Sequence, residues 1–257
     1  MLLLSLALVP VNHLRAQATD AGRIEFSRKN SFGIFSEYAN DSSHILLGQA
    51  RNRKLFTFGG SYSRRLMAHP AFDLNYLLEV RPVLVESDPV VHNAETDTIG
   101  GQTLTYSFNS TQVGVCHPGT TTYTGTFPGT SAPVTYTDVI ILTCGHRNWT
   151  FGEGLSPLGL RLNLRRQRRL QPVFTLLGGY MFSTQPIPVT NAGSANYAFS
   201  LGAGIELFRP ATDASSIFGR RSLRIEYRYH HISNAYTAPA NPGIVTGLVQ
   251  LAYAFGR

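Results

Sequence analysis

The sequence predicts an all-β fold, an eight-stranded antiparallel transmembrane β-barrel of outer-membrane type, and three observations carry that prediction. Period-two alternation of apolar and small or polar residues runs through most of the 257 residues. Charged residues are only 14% of the chain, against roughly 25% in an ordinary soluble domain. Hydrophobic residues, at 43%, are not in excess, so Gly, Ser, Thr, Asn and Pro fill the gap. The second face of the alternating segments carries Gly, Ala and Ser with scattered Arg and Glu, which suits a narrow lumen where ions pair across strands. The continuous apolar face then meets lipid. A helical membrane protein is excluded, because the longest apolar run, Met1 to Val11, is shorter than the ~20 residues of a spanning helix. With 11% aromatics the chain can bury a core, which excludes disorder.

Taken in order, Met1–Val9 and Ala16-Gln17-Ala18 read as the apolar region and cleavage site of a signal peptide over residues 1–18. Residues 19–257 form a single barrel domain. Its strands are expected near 32–38, 54–66, 72–84, 158–164, 172–182, 197–207, 223–229 and 249–255. In 223–229, Leu223, Ile225, Tyr227 and Tyr229 oppose Arg224, Glu226 and Arg228. In 197–207, Tyr197, Phe199, Leu201, Ala203, Ile205 and Leu207 oppose small residues and Glu206. Gly202-Ala203-Gly204 lacks a dinucleotide fingerprint and reads as lumen packing. One connection, a long extracellular loop at about 85–157, far exceeds the turns at the other end, as outer-membrane barrels show. A secreted lipocalin-like barrel with its apolar face inward is the rival, because pattern alone does not orient a barrel. The excess of 22 Lys and Arg over 15 Asp and Glu forms no helix-borne stripe, so no nucleic-acid partner is expected. The run Arg165-Arg166-Gln167-Arg168-Arg169 reads as a solvated hairpin tip.

Cys116 and Cys144 are the two cysteines, and export to an oxidising compartment predicts a disulfide between them. A zinc site built on Cys116-His117 and Cys144-Gly145-His146 is the competing reading, without the usual C-x₂-C spacing.

Chemistry concentrates in Tyr229-His230-His231-Ile232-Ser233-Asn234-Ala235 and Asn241-Pro242-Gly243-Ile244. On a strand, His231 and Ser233 share a face, and parity from Leu223 makes it the lipid face. An imidazole beside a hydroxyl there either marks the water interface or forms a dyad, in which His231 takes the serine proton for attack on a lipid ester.

These segments, with the last strand ending Leu251-Ala-Tyr-Ala-Phe255, resemble the lipid A 3-O-deacylase family of PagL type. The resemblance implies an outer-membrane hydrolase that removes the 3-O-linked acyl chain of lipid A in lipopolysaccharide, with no metal or cofactor. It assigns Ser233 as nucleophile, His231 as general base, and Asn234 and Asn241 to oxyanion or site support. The family's acid falls at Val245, and no Asp or Glu follows Glu226, whose parity faces the lumen. A non-catalytic barrel with a degenerate site is therefore the alternative.

Overall fold

The computed structural model describes residues 26–40, 52–112, 115–127, 133–187, 193–209, 218–239 and 244–256. The expected signal peptide and Asn241 lie outside the described residues. All regular structure among the described residues is strand: β1 (Asn30–Ala39), β2 (Lys54–Ala68), β3 (Phe72–Ile99), β4 (Gln102–Thr111), β5 (Gly119–Phe127), β6 (Val134–Leu164), β7 (Leu170–Ser183), β8 (Ala195–Phe208), β9 (Arg220–Ser233) and β10 (Ile244–Gly256). Every pairing is antiparallel. Because β3 also pairs with β6, the strands β1, β2, β3, β6, β7, β8, β9 and β10 close into a ring of eight.

Alternation sets which face is which. Along β9, Leu223, Ile225 and Tyr227 stand exposed outside while Arg224, Glu226 and Arg228 are buried inside. Leu201, Ile205 and Leu251 continue the exposed apolar wall. The interior has small residues where strands crowd the ion network: a Cβ at Gly204 would lie 2.1 Å from the Ile225 carbonyl oxygen. Two guanidinium groups organise that network. Arg228 donates to Glu37 at 2.9 Å, Glu79 at 2.7 Å and Glu226 at 2.6 Å. Arg81 donates to Glu37 at 2.9 Å and Glu79 at 2.7 Å. Nearer one rim the interior turns apolar, with Leu55, Leu84, Met181, Ile232 and Leu248 in one buried cluster.

The segment 85–157, read from sequence as a loop, is largely built as strands. β3 and β6 are 28 and 31 residues long. At about 3.3 Å per residue each spans roughly 90 Å or more, well beyond a ~30 Å hydrocarbon layer. Past the ring, β4 pairs with Val90–Ile99 of β3, and β5 with Val134–Leu142 of β6. The result is a four-stranded extension in the order β4-β3-β6-β5. Threonine and aromatic residues suit this pleated, two-sided surface, and Thr98 and Thr103 meet across it at 3.2 Å. Cys116 and Cys144 are joined in a disulfide with Cα atoms 5.9 Å apart, linking the β4–β5 connection to β6.

Candidate active site

β9 reaches the extension-side rim with its alternation intact, so its last residues sort by parity. His230, Ile232 and Asn234 point inward and are buried, whereas Tyr229, His231 and Ser233 are half-buried on the outer wall. Ile232, between the two candidate catalytic residues, enters the apolar interior cluster and fixes the strand end from behind. In the register, Ser233 stands opposite Tyr197, and His231 opposite Phe199 on β8. The rings of Tyr197 and Tyr180 approach to 5.4 Å, which walls the serine on one side.

Beyond Ser233 the chain reverses in a tight turn. The Thr237 N–H donates to the Asn234 carbonyl at 3.0 Å. Ala235 and Tyr236 adopt φ of 51° and 62°, the pattern of a type I′ turn. Neither residue is of the Gly or Asn type that takes this conformation cheaply, so the turn is strained. Side chains hold it: Asn234 Oδ1 accepts the Tyr236 N–H at 2.9 Å, and the Thr237 hydroxyl donates to the Asn234 carbonyl at 2.7 Å. Ser233 Oγ accepts the Ala235 N–H at 3.1 Å. Asn234 is 1% exposed, so it bears on Ser233 through the turn it fixes.

His231 is flanked by Phe199 on β8 and by Val245 on β10. Directly opposed residues on one face have Cβ atoms about 4.5–5.5 Å apart. Position 245, where the family pattern has its acid, therefore faces His231, and here it holds a 1% exposed valine. His231 Nδ1 is buried without a hydrogen-bond partner among the described residues. Among the described residues no carboxylate takes that place. Glu226 is engaged inside with Arg228 and Thr175. Glu153 pairs in register with Phe182, three strands away from β9. Asp138 lies in the extension with Glu95 and Asp97, ligand atoms within 4.8 Å of one another, the one group among the described residues with metal-like grouping. Partial desolvation and those two carboxylates hold Asp138 above its ordinary range.

Sequence reasoning missed a hollow of about 460 Å³ in the outer wall. Tyr229 and Leu201, one pleat from His231 and Phe199, form part of its lining, with Ala203 farther along β8 and Leu176, Phe174 and Leu160 farther around the ring. Its only sequence signal is the small Ala203 among large outward residues of β8.

The arrangement offers a hydroxyl and an imidazole on an apolar outer surface, beside a hollow with a mostly apolar lining. No curated protein matches the chain. Residues 141–254, from within β6 to within β10 and so including His231, Ser233 and Val245, match the family model described as lipid A 3-O-deacylase (PagL), the family that the segment around His231 and Ser233 resembles.

Proposed function

We propose that the protein is an exported outer-membrane serine esterase that hydrolyses the 3-O-linked acyl chain of lipid A. The observation that carries the reading is the placement of His231 and Ser233 on the outer wall, at the rim end of β9, inside the segment matching the deacylase family. His231 takes the Ser233 proton as Oγ attacks the ester carbonyl. The tetrahedral intermediate collapses, the sugar 3-oxygen leaves with a proton returned by His231, and water then releases the fatty acid from serine. The hollow beside Tyr229 seats the acyl chain, so the substrate never leaves its lipid surroundings. Asn234 supports the nucleophile by holding the turn, and Asn241 is assigned to the same site. In this orientation the extension with its disulfide faces the cell exterior, and the arginine-rich turns face the periplasm.

The Nδ1 of His231, without a partner among the described residues, and the valine opposite it favour one second reading, a barrel of the same descent with a degenerate, inactive site. Mass spectrometry of lipid A from cells with and without the protein decides between them. Loss of the 3-O-acyl mass, abolished by Ser233→Ala, supports the esterase, and an unchanged lipid A profile supports the inactive barrel.

A further inference from the structure

The end of the ring opposite the extension carries a second constellation that the esterase does not use. The turn between β6 and β7 presents Arg165, Arg168 and Arg169 around an open hollow of about 740 Å³, with Pro70 and Leu170 as its apolar flanks. The turn is rigidly built. Arg165 adopts φ 54°, its N–H donates to the Ala71 carbonyl at 2.7 Å, and the Arg168 N–H donates to the Arg165 carbonyl at 2.7 Å. The buried Gln171 amide donates to the Arg166 and Arg168 carbonyls at 3.0 and 3.1 Å. The backbone is thus satisfied from below while the guanidinium groups stand outward.

Among the described residues their charge goes unanswered. Arg165 and Arg168 make no side-chain hydrogen bond or ion pair among the described residues, and Arg169 donates only one N–H, to the Phe208 carbonyl at 2.9 Å. The patch continues around the rim, where Arg209 bonds by its N–H to the Arg221 carbonyl and both side chains are exposed. The described acids nearest this end, Asp73 and Glu206, are buried and already engaged with Arg166 and Arg28. Adjacent to the hollow, the exposed Leu170 and Phe174 begin the apolar outer wall.

We propose that this hollow is a binding site for the phosphate headgroup of an anionic phospholipid, resting on the transmembrane reading above. Guanidinium forks match phosphate oxygens bidentately. A headgroup there would leave its glycerol and acyl chains against Pro70, Leu170 and the wall beyond. A free phosphate would use the cations but not that apolar flank, so the lipid is the occupant the site fits. The ring would then be gripped in the phospholipid leaflet, opposite the leaflet that bears its substrate.

The test uses the full exported chain, reconstituted into phosphatidylcholine vesicles with and without phosphatidylglycerol, then released for native mass spectrometry of retained lipid. Wild type should retain phosphatidylglycerol over phosphatidylcholine, and high salt should erase the preference. Arg165→Gln, Arg168→Gln and Arg169→Gln together should weaken retention about a hundredfold, since each cation near an anionic surface contributes about fivefold. Inorganic phosphate in the same titration should fail to displace the lipid. Equal retention of the two lipids by wild type, salt-insensitive retention, unchanged retention in a folded triple variant, or displacement by inorganic phosphate would each overturn the assignment. Insertion into phosphatidylcholine vesicles is scored separately by protease protection. A chain that inserts but shows no lipid preference sinks this site alone, whereas one that inserts into neither vesicle sinks the membrane reading and the site with it.

Discussion

The two faces of β9 are made from neighbouring residues and obey opposite rules. Inside, Arg228 reaches three carboxylates, and His230 Nδ1 shares a 2.6 Å hydrogen bond with Ser200. Outside, one residue along, His231 has no partner for Nδ1 among the described residues and faces phenylalanine and valine. Buried polar groups without partners cost free energy, so a folded chain retains them where another use outweighs the cost. The strand therefore carries two neighbouring histidines of different setting, His230 bonded to Ser200 of β8 and His231 on the same face as Ser233. His230 and Ser200 are both buried in the interior, whereas His231 and Ser233 are half-buried on the outer wall. Sequence adjacency hides this distinction and parity reveals it.

The largest expected effect breaks the comparison directly. Ser233→Ala or His231→Ala should each lower deacylation by at least about 10³-fold, as loss of a nucleophile or its base does in serine hydrolases. The inner counterpart, Ser200→Ala, should leave the rate within about twofold and cost roughly 1 kcal/mol of stability for one buried hydrogen bond. Acyl-chain release from lipid A, measured beside the heat-shifted mobility of the folded chain, separates the two. A Ser200→Ala chain as inactive as Ser233→Ala would mean that the faces do not divide as argued.

The inner face should answer in stability. Arg228→Met removes the cation shared by Glu37, Glu79 and Glu226, leaving carboxylates crowded in the interior with Arg81 and Arg224 as their remaining cations. Removing one partner of a buried ion pair typically costs 3–5 kcal/mol. Urea unfolding in micelles should show a loss of about that size, while the activity of the fraction still folded stays close to wild type.

How much of this was legible in the sequence follows from the same parity. Leu223 to Tyr229 fixed which side of β9 faces out, and carried that assignment to His231 and Ser233 without a structure. The strands of the extension were not legible, because they bury no continuous apolar face. Gln102–Thr111 and Gly119–Phe127 look like polar linker, and Pro89 inside β3 is a residue that lacks the N–H a ladder needs. The period-two set Leu104, Tyr106 and Phe108 was the available clue. The register across β9 and β10 was also beyond the sequence, since it depends on the connection that includes the unusual turn at Ala235 and Tyr236. That register is what sets Val245 opposite His231.

It also sharpens the third prediction. Val245→Glu should place a carboxylate across from the imidazole and raise kcat about a hundredfold, within the roughly 10⁴ that a correctly placed acid is worth in the serine-protease template. KM should change little, because the acid acts on the histidine and not on the acyl chain. Val245→Gln, similar in shape but uncharged, should recover only a small part of the gain. A wild type already fast and indifferent to Val245→Glu would show that His231 is oriented by something else. Inactivity of both forms on lipid A would favour the degenerate barrel.

The smallest effect concerns the turn that ends β9. Tyr236 is 82% exposed and sits at φ 62°, so it has little packing to justify a conformation that costs an L-residue about 1–2 kcal/mol. Glycine relieves that strain but adds about 0.4–1 kcal/mol of unfolded-chain entropy to be lost on folding. Tyr236→Gly should therefore stabilise the chain by about 1 kcal/mol or less. If the strained turn serves only to close the strand, activity follows stability and stays level or rises. If it holds the Asn234 cap, and through it Ser233, a looser glycine turn lowers kcat a few-fold in a more stable protein. The second outcome is expected, because Asn234 Oδ1 anchors the very N–H whose residue is being freed. A stability rise with unchanged kcat would separate the turn from the site.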